Sequence, residues 1–334
     1  MSEARLHATV APGGDHTWAL VLAAGEGTRL HALTTTSTGL AVPKQYCSLT
    51  GGTSLLQDAL ERAAVVAPIE RTCVIVASQH ERWWRPLLQA LPSANVVVQP
   101  CNRGTAVGIL LPLLSILRRD PEATLLILPS DHFVSDEQLL GRAVSEAMVL
   151  TRRAGEMVVL GIDPDEADPE LGYILPDSPE QAGGLCKVRQ FLEKPDAVRT
   201  REVIREGGVW NSFILAVQAR TLRTLFEHSM PELVTALARV EKRVASGLAS
   251  ADELAEFYQS LPTLDFSREL LQPNPQRLRV LRVPVCGWSD LGTPRRVADV
   301  LRSQHVRQLK GIPPTQHMPG VLNLAAQQAR LQPH

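Results

Sequence analysis

Short apolar runs rich in Val, Leu and Ile alternate with segments of helical period through the first half of the chain. The runs predict strands at 18–23, 72–77, 95–99, 124–128 and 156–161. The segments between them, where apolar positions recur every three or four residues, predict helices at 54–67, 80–91, 105–118 and 136–153. Strands that alternate with helices favour an α/β, Rossmann-like fold. In such a fold a largely parallel mixed sheet carries helices on both faces.

The second half changes character, because its apolar runs are separated by strongly charged helical segments. Strands are predicted there at 172–174, 187–192, 210–217 and 278–285. No linker rich in Gly, Pro or Ser and no internal repeat interrupts the pattern, so we expect one domain over 18–303. Its two halves would cover about 18–160 and about 161–303, flanked by an N-terminal tail (1–17) and a C-terminal tail (304–334) of unknown role.

A turn of small residues, Leu22-Ala-Ala-Gly-Glu-Gly-Thr-Arg29-Leu, follows the first predicted strand. Bare backbone N–H groups in such a turn suit a polyanion such as a triphosphate, and Arg29 and Lys44 add positive charge beside it. The Walker pattern requires Gly-Lys-Ser/Thr, and the dinucleotide pattern requires a third glycine where Leu30 stands, so neither fits. An ordinary turn between a strand and a helix is the alternative interpretation.

The charge balance gives the 334-residue chain no overall attraction to polyanions. Its formal net charge is -1, so neither nucleic acid nor an anionic membrane is an expected partner, and phosphate binding must be local. The five cysteines are scattered without a C-x-x-C pair, which predicts reduced thiols. Because no signal-peptide core and no apolar run of membrane-spanning length is found, we expect a cytoplasmic protein.

Two acidic residues follow predicted strands at distant points of the chain. Asp131 stands in Leu-Pro-Ser-Asp-His after the strand at 124–128, and Asp290 stands in Gly-Trp-Ser-Asp-Leu-Gly. Ligands of doubly wound folds bind at such strand ends, and two converging carboxylates suit Mg²⁺ beside substrate phosphates. A solvated turn or a helix cap is the alternative for each. The acidic stretch 163–170 lacks the spacing of a calcium loop and is interpreted as a solvated loop.

The glycine run, followed by Pro43-Lys44-Gln45, resembles the opening motif of the sugar-1-phosphate nucleotidyltransferases. The Pro-Lys-Gln end is similar to their mannose-1-phosphate guanylyltransferase branch, and further motifs occur in the family order over roughly 19–300. The resemblance implies the nucleotide-diphospho-sugar transferase fold, with a nucleotide half followed by a sugar-phosphate half. It also implies that Asp131 and Asp290 are the metal ligands and that Mg²⁺ is the cofactor.

The resemblance assigns nucleotide binding to two loops. The residues of the first loop, on the triphosphate side, are Leu22, Ala23, Ala24, Gly25, Gly27 and Thr28. The residues of the second loop, which read the base, are Gln99, Gly104 and Thr105. Gly104 stands where the bacterial mannose branch has Asn, and Val107 stands where it has Pro. The overall match favours guanine, and discrimination against ATP would be incomplete if Gly104 loosens the loop. Thr105 could equally be the N-cap of the helix predicted at 105–118.

Three segments of the second half resemble the sugar-binding motifs of the family. In the Glu-Lys-Pro segment, Glu193 would hold sugar hydroxyls and Lys194 would reach the sugar phosphate. Asn211, in Trp-Asn-Ser, would bond the sugar, although Phe213 replaces the glycine that follows this motif in the family. Gly172 would let the sugar approach the backbone. The catalytic residues implied are Arg29, Lys44, Asp131, Lys194 and Asp290, with Arg29 and Lys44 assigned to the leaving pyrophosphate.

These observations predict an enzyme that converts GTP and mannose-1-phosphate to GDP-mannose and pyrophosphate. A glucose- or heptose-1-phosphate nucleotidyltransferase is the nearest alternative. A catalytically silent regulator that binds nucleotide sugars on the same fold is a second alternative. A dinucleotide-dependent oxidoreductase is disfavoured by the missing third glycine. The expected partners are the nucleoside triphosphate and the sugar-1-phosphate, and the formation of a homo-oligomer is left open.

Overall fold

The computed structural model describes residues 16–49, 51–178, 184–248, 250–309 and 322–323, which form a mixed α/β fold. The strands are β1 (Thr17–Ala23), β2 (Cys47–Ser48), β3 (Thr72–Ala77), β4 (Val96–Gln99), β5 (Thr124–Pro129), β6 (Met157–Ile162), β7 (Tyr173–Pro176), β8 (Leu185–Leu192), β9 (Val209–Gln218), β10 (Leu278–Val283) and β11 (Leu322–Asn323). The helices are α1 (His31–Thr34), α2 (Leu55–Ala64), α3 (Glu81–Leu87), α4 (Gly104–Arg119), α5 (Glu137–Ala154), α6 (Ala197–Arg205), α7 (Ala219–Ser229), α8 (Pro231–Ala245), α9 (Ala251–Ser260) and α10 (Pro294–Leu309).

A nine-stranded sheet organises the described residues, in the order β4-β3-β1-β5-β9-β6-β10-β8-β7. The strands of the first half, β4, β3, β1 and β5, are parallel, as predicted. In the second half, β9 is antiparallel to β5 and β6, and β8 is antiparallel to β7 and β10. The prediction of a largely parallel sheet is therefore wrong for this half. Helical crossovers separate the parallel strands, whereas β7 and β8 are joined by a short connection that allows antiparallel pairing only.

Most predicted elements exist close to their predicted bounds. β3 coincides with the strand predicted at 72–77, and α4 extends the helix predicted at 105–118 by one residue at each end. Proline explains two of the larger differences. α3 ends one residue after Pro86, which removes a backbone donor inside the helix. β10 ends before Pro284, which cannot continue the ladder of hydrogen bonds.

The hydrophobic core lies on both faces of the sheet. Alternate residues of β1 point to opposite sides, so that Val21 joins one cluster and Leu20 the other. The first cluster packs against α2 and α5, and the second packs against α4 and α7. Helices thus cover both faces, as predicted, and the ends of the parallel strands β1, β4 and β5 share one edge.

The predicted tails fall largely outside the described residues. β1 already begins at Thr17, and α10 continues to Leu309, past residue 303 where the domain was expected to end. Farther on, β11 pairs in parallel with β2. Within the described ranges, no helix is long and apolar enough to cross a membrane.

Candidate active site

The predicted ligand residues meet in a cleft of about 390 Å³ at the carboxyl edge of the parallel strands. The predicted residues on its walls are Leu22, Ala24, Gly25, Gln99, Gly104, Thr105, Asp131, Gly172, Glu193, Asn211 and Asp290. Those that lie off the walls are Ala23, Gly27, Thr28, Arg29, Lys44 and Lys194. The structure therefore brings together both carboxylates, the base loop and the sugar residues, whereas all three predicted cations stand outside the cleft.

The glycine run is held by the segment that follows Pro43. Gln45 Nε2 donates hydrogen bonds to the backbone oxygens of Ala23 and Gly25, at 3.0 and 2.8 Å. Gly27 has a φ of 63°, and a Cβ atom there would lie 3.2 Å from the backbone nitrogen of Lys44. A glycine is therefore needed where the two segments approach each other. This packing explains why both motifs occur together in the sequence.

Lys44 is buried, at 6% exposure, and its ammonium faces protein oxygens. Nζ lies 3.0 Å from Asp131 Oδ2 and donates to the backbone oxygens of Asp290 and Leu291 at 2.6 and 3.4 Å. An ammonium has three donors, and these contacts engage them. The observed contacts thus differ from the predicted contact of Lys44 with the leaving pyrophosphate, because the lysine instead compensates the charge of Asp131.

Asp290 is held by contacts on its own side of the cleft. Its Oδ1 accepts a hydrogen bond from Gly292 N at 3.0 Å and lies 3.3 Å from Arg296 Nη1. A Cβ atom at residue 292 would lie 2.2 Å from Asp290 Oδ2. The carboxylate can therefore adopt this arrangement only because residue 292 is a glycine.

The two carboxylates can hold a divalent cation only if other ligands complete its coordination. No group of three His, Cys, Asp or Glu residues in the described ranges is arranged to hold a metal by itself. Burial would raise the pKa of Asp131, but Lys44 and then His132 outweigh this effect and keep the pKa below its ordinary value. Asp131 is therefore ionised at neutral pH. An ionised carboxylate that lines the same cleft as a second aspartate fits a hard cation that takes most of its ligands from water and phosphate.

His132 is a neutral packing residue at physiological pH. Burial lowers its pKa to about 4, and its ring packs edge-on against Trp288 with 5.2 Å between the ring centroids. The indole Nε1 of Trp288 is buried in the cleft wall and has no hydrogen-bond partner among the described residues. An indole N–H is a donor only, so it can accommodate an acceptor atom of a ligand.

A second corner of the cleft is formed by Gly172, Glu193 and Asn211. Asn211 N donates to Gly172 O at 2.8 Å, and a Cβ atom at residue 172 would lie 2.8 Å from Glu193 Oε2. Burial, and then the charge of Asp265, raises the pKa of Glu193 to about 7. The glycine thus admits a carboxyl group and an amide to the same corner, where both could bond hydroxyl groups.

Three residues other than glycine adopt the left-handed backbone conformation close to the cleft. They are Lys194 (φ 49°), Phe213 (φ 59°) and Leu291 (φ 50°). Lys194 directly follows Glu193 and Leu291 directly follows Asp290, while Phe213 lies on the cleft wall. Such a conformation costs about 1–2 kcal/mol for a residue with a Cβ atom, and strained residues cluster at functional sites. Phe213 thus retains the backbone conformation that the expected glycine would adopt freely.

The base loop is tightly packed rather than loosened at Gly104. Gly104 has a φ of 81°, and a Cβ atom there would lie 2.1 Å from Leu264 O. Leu264 N donates to Arg103 O, and Ala106 N donates to Leu264 O, both at 3.0 Å. A side chain at residue 104 would break this contact, so the glycine allows the loop to dock against residues 261–266.

The alternative interpretation of Thr105, as the N-cap of α4, is wrong. α4 begins at Gly104, and its N-cap, Arg103, makes no side-chain cap. The hydroxyl of Thr105 instead accepts a hydrogen bond from Phe266 N at 2.8 Å. Next to this contact, Gln99 is 2% exposed, and its Oε1 has no partner among the described residues.

The remaining predicted cations are exposed. Arg29 Nη1 lies 3.2 Å from Glu170 Oε2, and both side chains are more than half exposed. The Lys194 side chain is exposed beside the sugar corner. Arg29 can leave its pair with Glu170 to meet a ligand, because exposed ion pairs are weak.

Two buried charged residues near the cleft were missed from the sequence. Asp168 lies in the acidic stretch predicted to be solvated, yet it is buried and pairs with Arg296. The stretch is therefore a solvated loop only in part. Arg296 offered one signal, because it stands four residues before the apolar Val300 and so shares a helix face with it. Its acidic partners are too distant in sequence to be found by spacing.

Known proteins similar to this chain give a consistent picture. A model of the nucleotidyl transferase family matches residues 18–305. The alginate biosynthesis protein AlgA of Pseudomonas syringae pv. tomato is 30% identical over 282 residues, which cover 82% of this chain and 56% of that protein. The mannose-1-phosphate guanylyltransferase of Escherichia coli K12 is 28% identical over 283 residues, covering 82% and 57%. A Thermus thermophilus structure, described as a mannose-1-phosphate geranyltransferase, superposes with a TM-score of 0.72 and 31% identity, covering 86% and 79%.

A doubly wound first half, a glycine run at the sheet edge and a carboxylate-lined cleft are typical of the nucleotide-binding class of α/β proteins. The chain belongs to the nucleotidyl transferase family. It spans a little over half the length of the curated relatives it matches.

Proposed function

We propose that this protein is a sugar-1-phosphate nucleotidyltransferase that converts GTP and mannose-1-phosphate to GDP-mannose and pyrophosphate. One observation carries the proposal. Asp131 and Asp290 line the same cleft as the glycine run and Gln99, and the corner of Gly172, Glu193 and Asn211 lines it as well. The names of the similar proteins support mannose-1-phosphate as the sugar substrate and guanylyl as the transferred group.

In this proposal the nucleotide lies against the first half of the domain, about 18–160. The backbone of Leu22, Ala24 and Gly25 faces the triphosphate. Gln45 holds this loop in place through its hydrogen bond to Gly25 O. The buried and unpaired Oε1 of Gln99 accepts from the edge of the base, and guanine offers N–H donors there. A buried acceptor without a partner favours a ligand that supplies a donor.

The sugar-1-phosphate lies against the second half, about 161–303. Glu193 and Asn211 bond its hydroxyls, and Gly172 admits the sugar close to the backbone. Lys194, which is exposed beside this corner, meets the phosphate. Its charge offsets the repulsion between this phosphate and the nucleotide.

Asp131 and Asp290 are the proposed ligands of Mg²⁺. When bound, this ion neutralises phosphate charge and aligns the reacting groups. Lys44 keeps Asp131 ionised and ties it to the backbone of Asp290, so that both carboxylates are held in place before a ligand binds. We thus propose that Lys44 positions a metal ligand, in place of the contact with pyrophosphate that the sequence favoured.

The reaction needs positioning more than proton transfer. A phosphate oxygen of the sugar-1-phosphate attacks the α-phosphorus of GTP, and the bond from that phosphorus to the pyrophosphate oxygen breaks. The nucleophile is already an anion, which agrees with a cleft whose histidine, His132, is neutral. Arg29 leaves its exposed pair with Glu170 and stabilises the charge that develops on the pyrophosphate.

A pyrophosphate-release assay tests the proposal. GTP, ATP, UTP, CTP and dTTP are each combined with mannose-1-phosphate, glucose-1-phosphate and heptose-1-phosphate. We expect GTP with mannose-1-phosphate to give the highest kcat/KM. Because the base loop is packed rather than loosened, discrimination against ATP should be clear. A higher kcat/KM for another base or sugar would move the protein to another branch, and no release with any pair would favour the silent regulator.

A further inference from the structure

The buried guanidinium of Arg296 connects the two ends of the cleft, namely Asp290 at one end and the strands that carry the sugar corner at the other. Arg296 is 6% exposed, whereas the preceding residue, Arg295, is on the surface. Nε donates a hydrogen bond to Asp168 Oδ2 at 2.9 Å, and Nη2 lies 2.8 Å from the same oxygen. On its other side, Nη1 lies 3.3 Å from Asp290 Oδ1. The guanidinium carbon also lies 5.0 Å from the centroid of the Trp210 ring.

Asp168 is itself fixed by a hydroxyl whose hydrogen bonds are all used. Asp168 N donates to the hydroxyl of Tyr173, which donates in turn to Asp168 O, both at 3.0 Å. Trp210 Nε1 donates to the same hydroxyl at 3.0 Å. A tyrosine hydroxyl has one donor and two acceptor sites, and these contacts engage all of them. A buried hydroxyl whose donor and acceptor sites are all engaged holds its partners in one arrangement.

This network reaches the sugar corner directly. Tyr173 and Trp210 are paired across β7 and β9. The residue before Tyr173 is Gly172, and the residue after Trp210 is Asn211, both on the cleft wall. The same arginine therefore contacts a carboxylate at one end of the cleft and the strands that carry the other end.

We infer that Arg296 is a positioning residue, which fixes the carboxylate of Asp290 relative to the sugar corner for metal binding. The inference rests on the proposed function, because that proposal makes Asp290 a metal ligand. Partners that orient a metal ligand from behind typically affect metal affinity or activity by about 10–100-fold. An arginine that only supported the fold would change stability and leave the affinity for metal unaltered.

The test uses Arg296→Lys, which keeps the buried charge but loses the planar fork that reaches two carboxylates at once. Arg302→Lys is the matched control on the same helix, because that exposed arginine pairs with Asp299 and not with the partners of Arg296. Mn²⁺ is titrated into each full-length protein, alone and with GDP-mannose, and free Mn²⁺ is measured by its EPR signal. We expect the dissociation constant of Mn²⁺ to rise about 10–100-fold in Arg296→Lys and to stay within about twofold in the control.

Asp168→Glu provides a second route that also conserves charge, since it displaces the carboxylate that holds Arg296. It should weaken Mn²⁺ binding by about 10-fold, and it decides the question if Arg296→Lys does not fold. Wild-type affinity for Mn²⁺ in a folded Arg296→Lys protein, or in Asp168→Glu where that protein alone folds, would overturn the inference. If wild-type protein binds no Mn²⁺ in either condition, the metal pair and this inference are both wrong, while pyrophosphate release still tests the reaction independently.

Discussion

Lys44 Nζ lies 3.0 Å from Asp131 Oδ2 and 2.6 Å from the backbone oxygen of Asp290. One buried ammonium therefore connects two segments of the cleft that are far apart in the sequence. Burial of a lysine is unfavourable unless a negative charge accompanies it. The pair consequently contributes to the stability of the protein as well as to the proposed metal site, and experiments can separate these two contributions.

We expect Lys44→Met to destabilise the protein by about 1–3 kcal/mol. Removing one partner of a fully buried pair typically costs about 3–5 kcal/mol, but Asp131 is one-third exposed, at 35%, and water screens it. Urea unfolding at pH 7 measures the change. Asp131→Asn in both backgrounds completes a double-mutant cycle, whose coupling energy should be about 0.5–3 kcal/mol. A coupling energy near zero would show that the contact contributes nothing.

The ion pair of Lys44 and Asp131 also predicts that the stability of the protein falls at acidic pH. The pKa of Asp131 is below its ordinary value in the folded protein, so its contribution to stability is present above about pH 4 and is lost as the pH falls further. Lys44→Met should remove most of this loss, because the pKa of Asp131 is then no longer held down. The free energy of unfolding of both proteins between pH 3 and pH 6 tests this. Parallel curves would contradict it.

Removing either proposed metal ligand should strongly reduce turnover without unfolding the protein. Asp131→Asn and Asp290→Asn are each expected to lower kcat by on the order of 10²-fold or more, because the charge stabilisation of the transition state is lost. Pyrophosphate release at saturating Mg²⁺ is the measurement. Asp163→Asn is the control, since Asp163 is exposed and pairs with Arg282 away from the cleft walls. Near wild-type kcat in both cleft variants would exclude the metal pair.

Glu193 should make the stability of the protein fall with rising pH. Its pKa is about 7 in the folded state and about 4.3 in an unfolded chain. Between these values the folded state holds a proton that the unfolded state has released, so the free energy of unfolding decreases as the pH rises, by up to about 4 kcal/mol. Glu193→Gln carries no such proton. The variant should therefore gain stability relative to wild type from pH 5 to pH 8 in urea unfolding.

A companion variant identifies the cause of this shift. The carboxylate of Asp265 raises the pKa of Glu193, although burial is the larger cause. Asp265→Asn should therefore lower the pKa and narrow the pH range over which stability falls, without abolishing it. If Glu193→Gln shows the same pH dependence as wild type, another group is responsible.

The elements were predictable where the local pattern decides the structure. β3 and α4 were found within one residue at each end, because uninterrupted apolar or helix-period residues leave no competing choice. Gly172 and Asn211 could be placed in one cleft because their motifs resemble those of a family. The antiparallel pairing of β9 could not be predicted, since it depends on the path of the chain between strands.

The buried charges were not predictable for a similar reason. Lys44 and Arg296 look like surface residues in sequence, and each is buried only because a carboxylate far along the chain accompanies it. Asp168 was hidden in the same way by its exposed acidic neighbours. Spacing identifies which residues can form a site, whereas the ion pairs that orient them appear only in three dimensions.

Gly172→Ala should impair the sugar corner while leaving the fold intact. The new Cβ atom would meet Glu193 Oε2 at 2.8 Å, and the end of that flexible side chain can move aside at low cost. The carboxyl group would then leave the sugar hydroxyls. We expect kcat/KM for the sugar-1-phosphate to fall by about 10-fold or more with little change in KM for GTP. Gly141→Ala, whose Cβ atom would make ordinary contacts with Val65, is the control and should leave both constants unchanged.

Substitutions of Phe213 can measure the energetic cost of its left-handed backbone conformation separately from the contribution of its ring. At a φ of 59° a glycine avoids the clash of the Cβ atom, so Phe213→Gly should be more stable than Phe213→Ala by about 1 kcal/mol. Phe191 is the control, because it is also a phenylalanine in a strand, β8, but lacks a positive φ. There the order should reverse, since glycine weakens a strand.

The same substitution tests the shape of the sugar site. The ring of Phe213 lies on the cleft wall, with its centroid 6.0 Å from that of Phe266, so its removal leaves space beside Asn211. We expect Phe213→Gly to raise kcat/KM for heptose-1-phosphate relative to mannose-1-phosphate, because the larger sugar benefits more from the added room. Competition between the two substrates measures the ratio. An unchanged ratio, together with the expected order of stabilities, would mean that the ring supports the wall without touching the sugar.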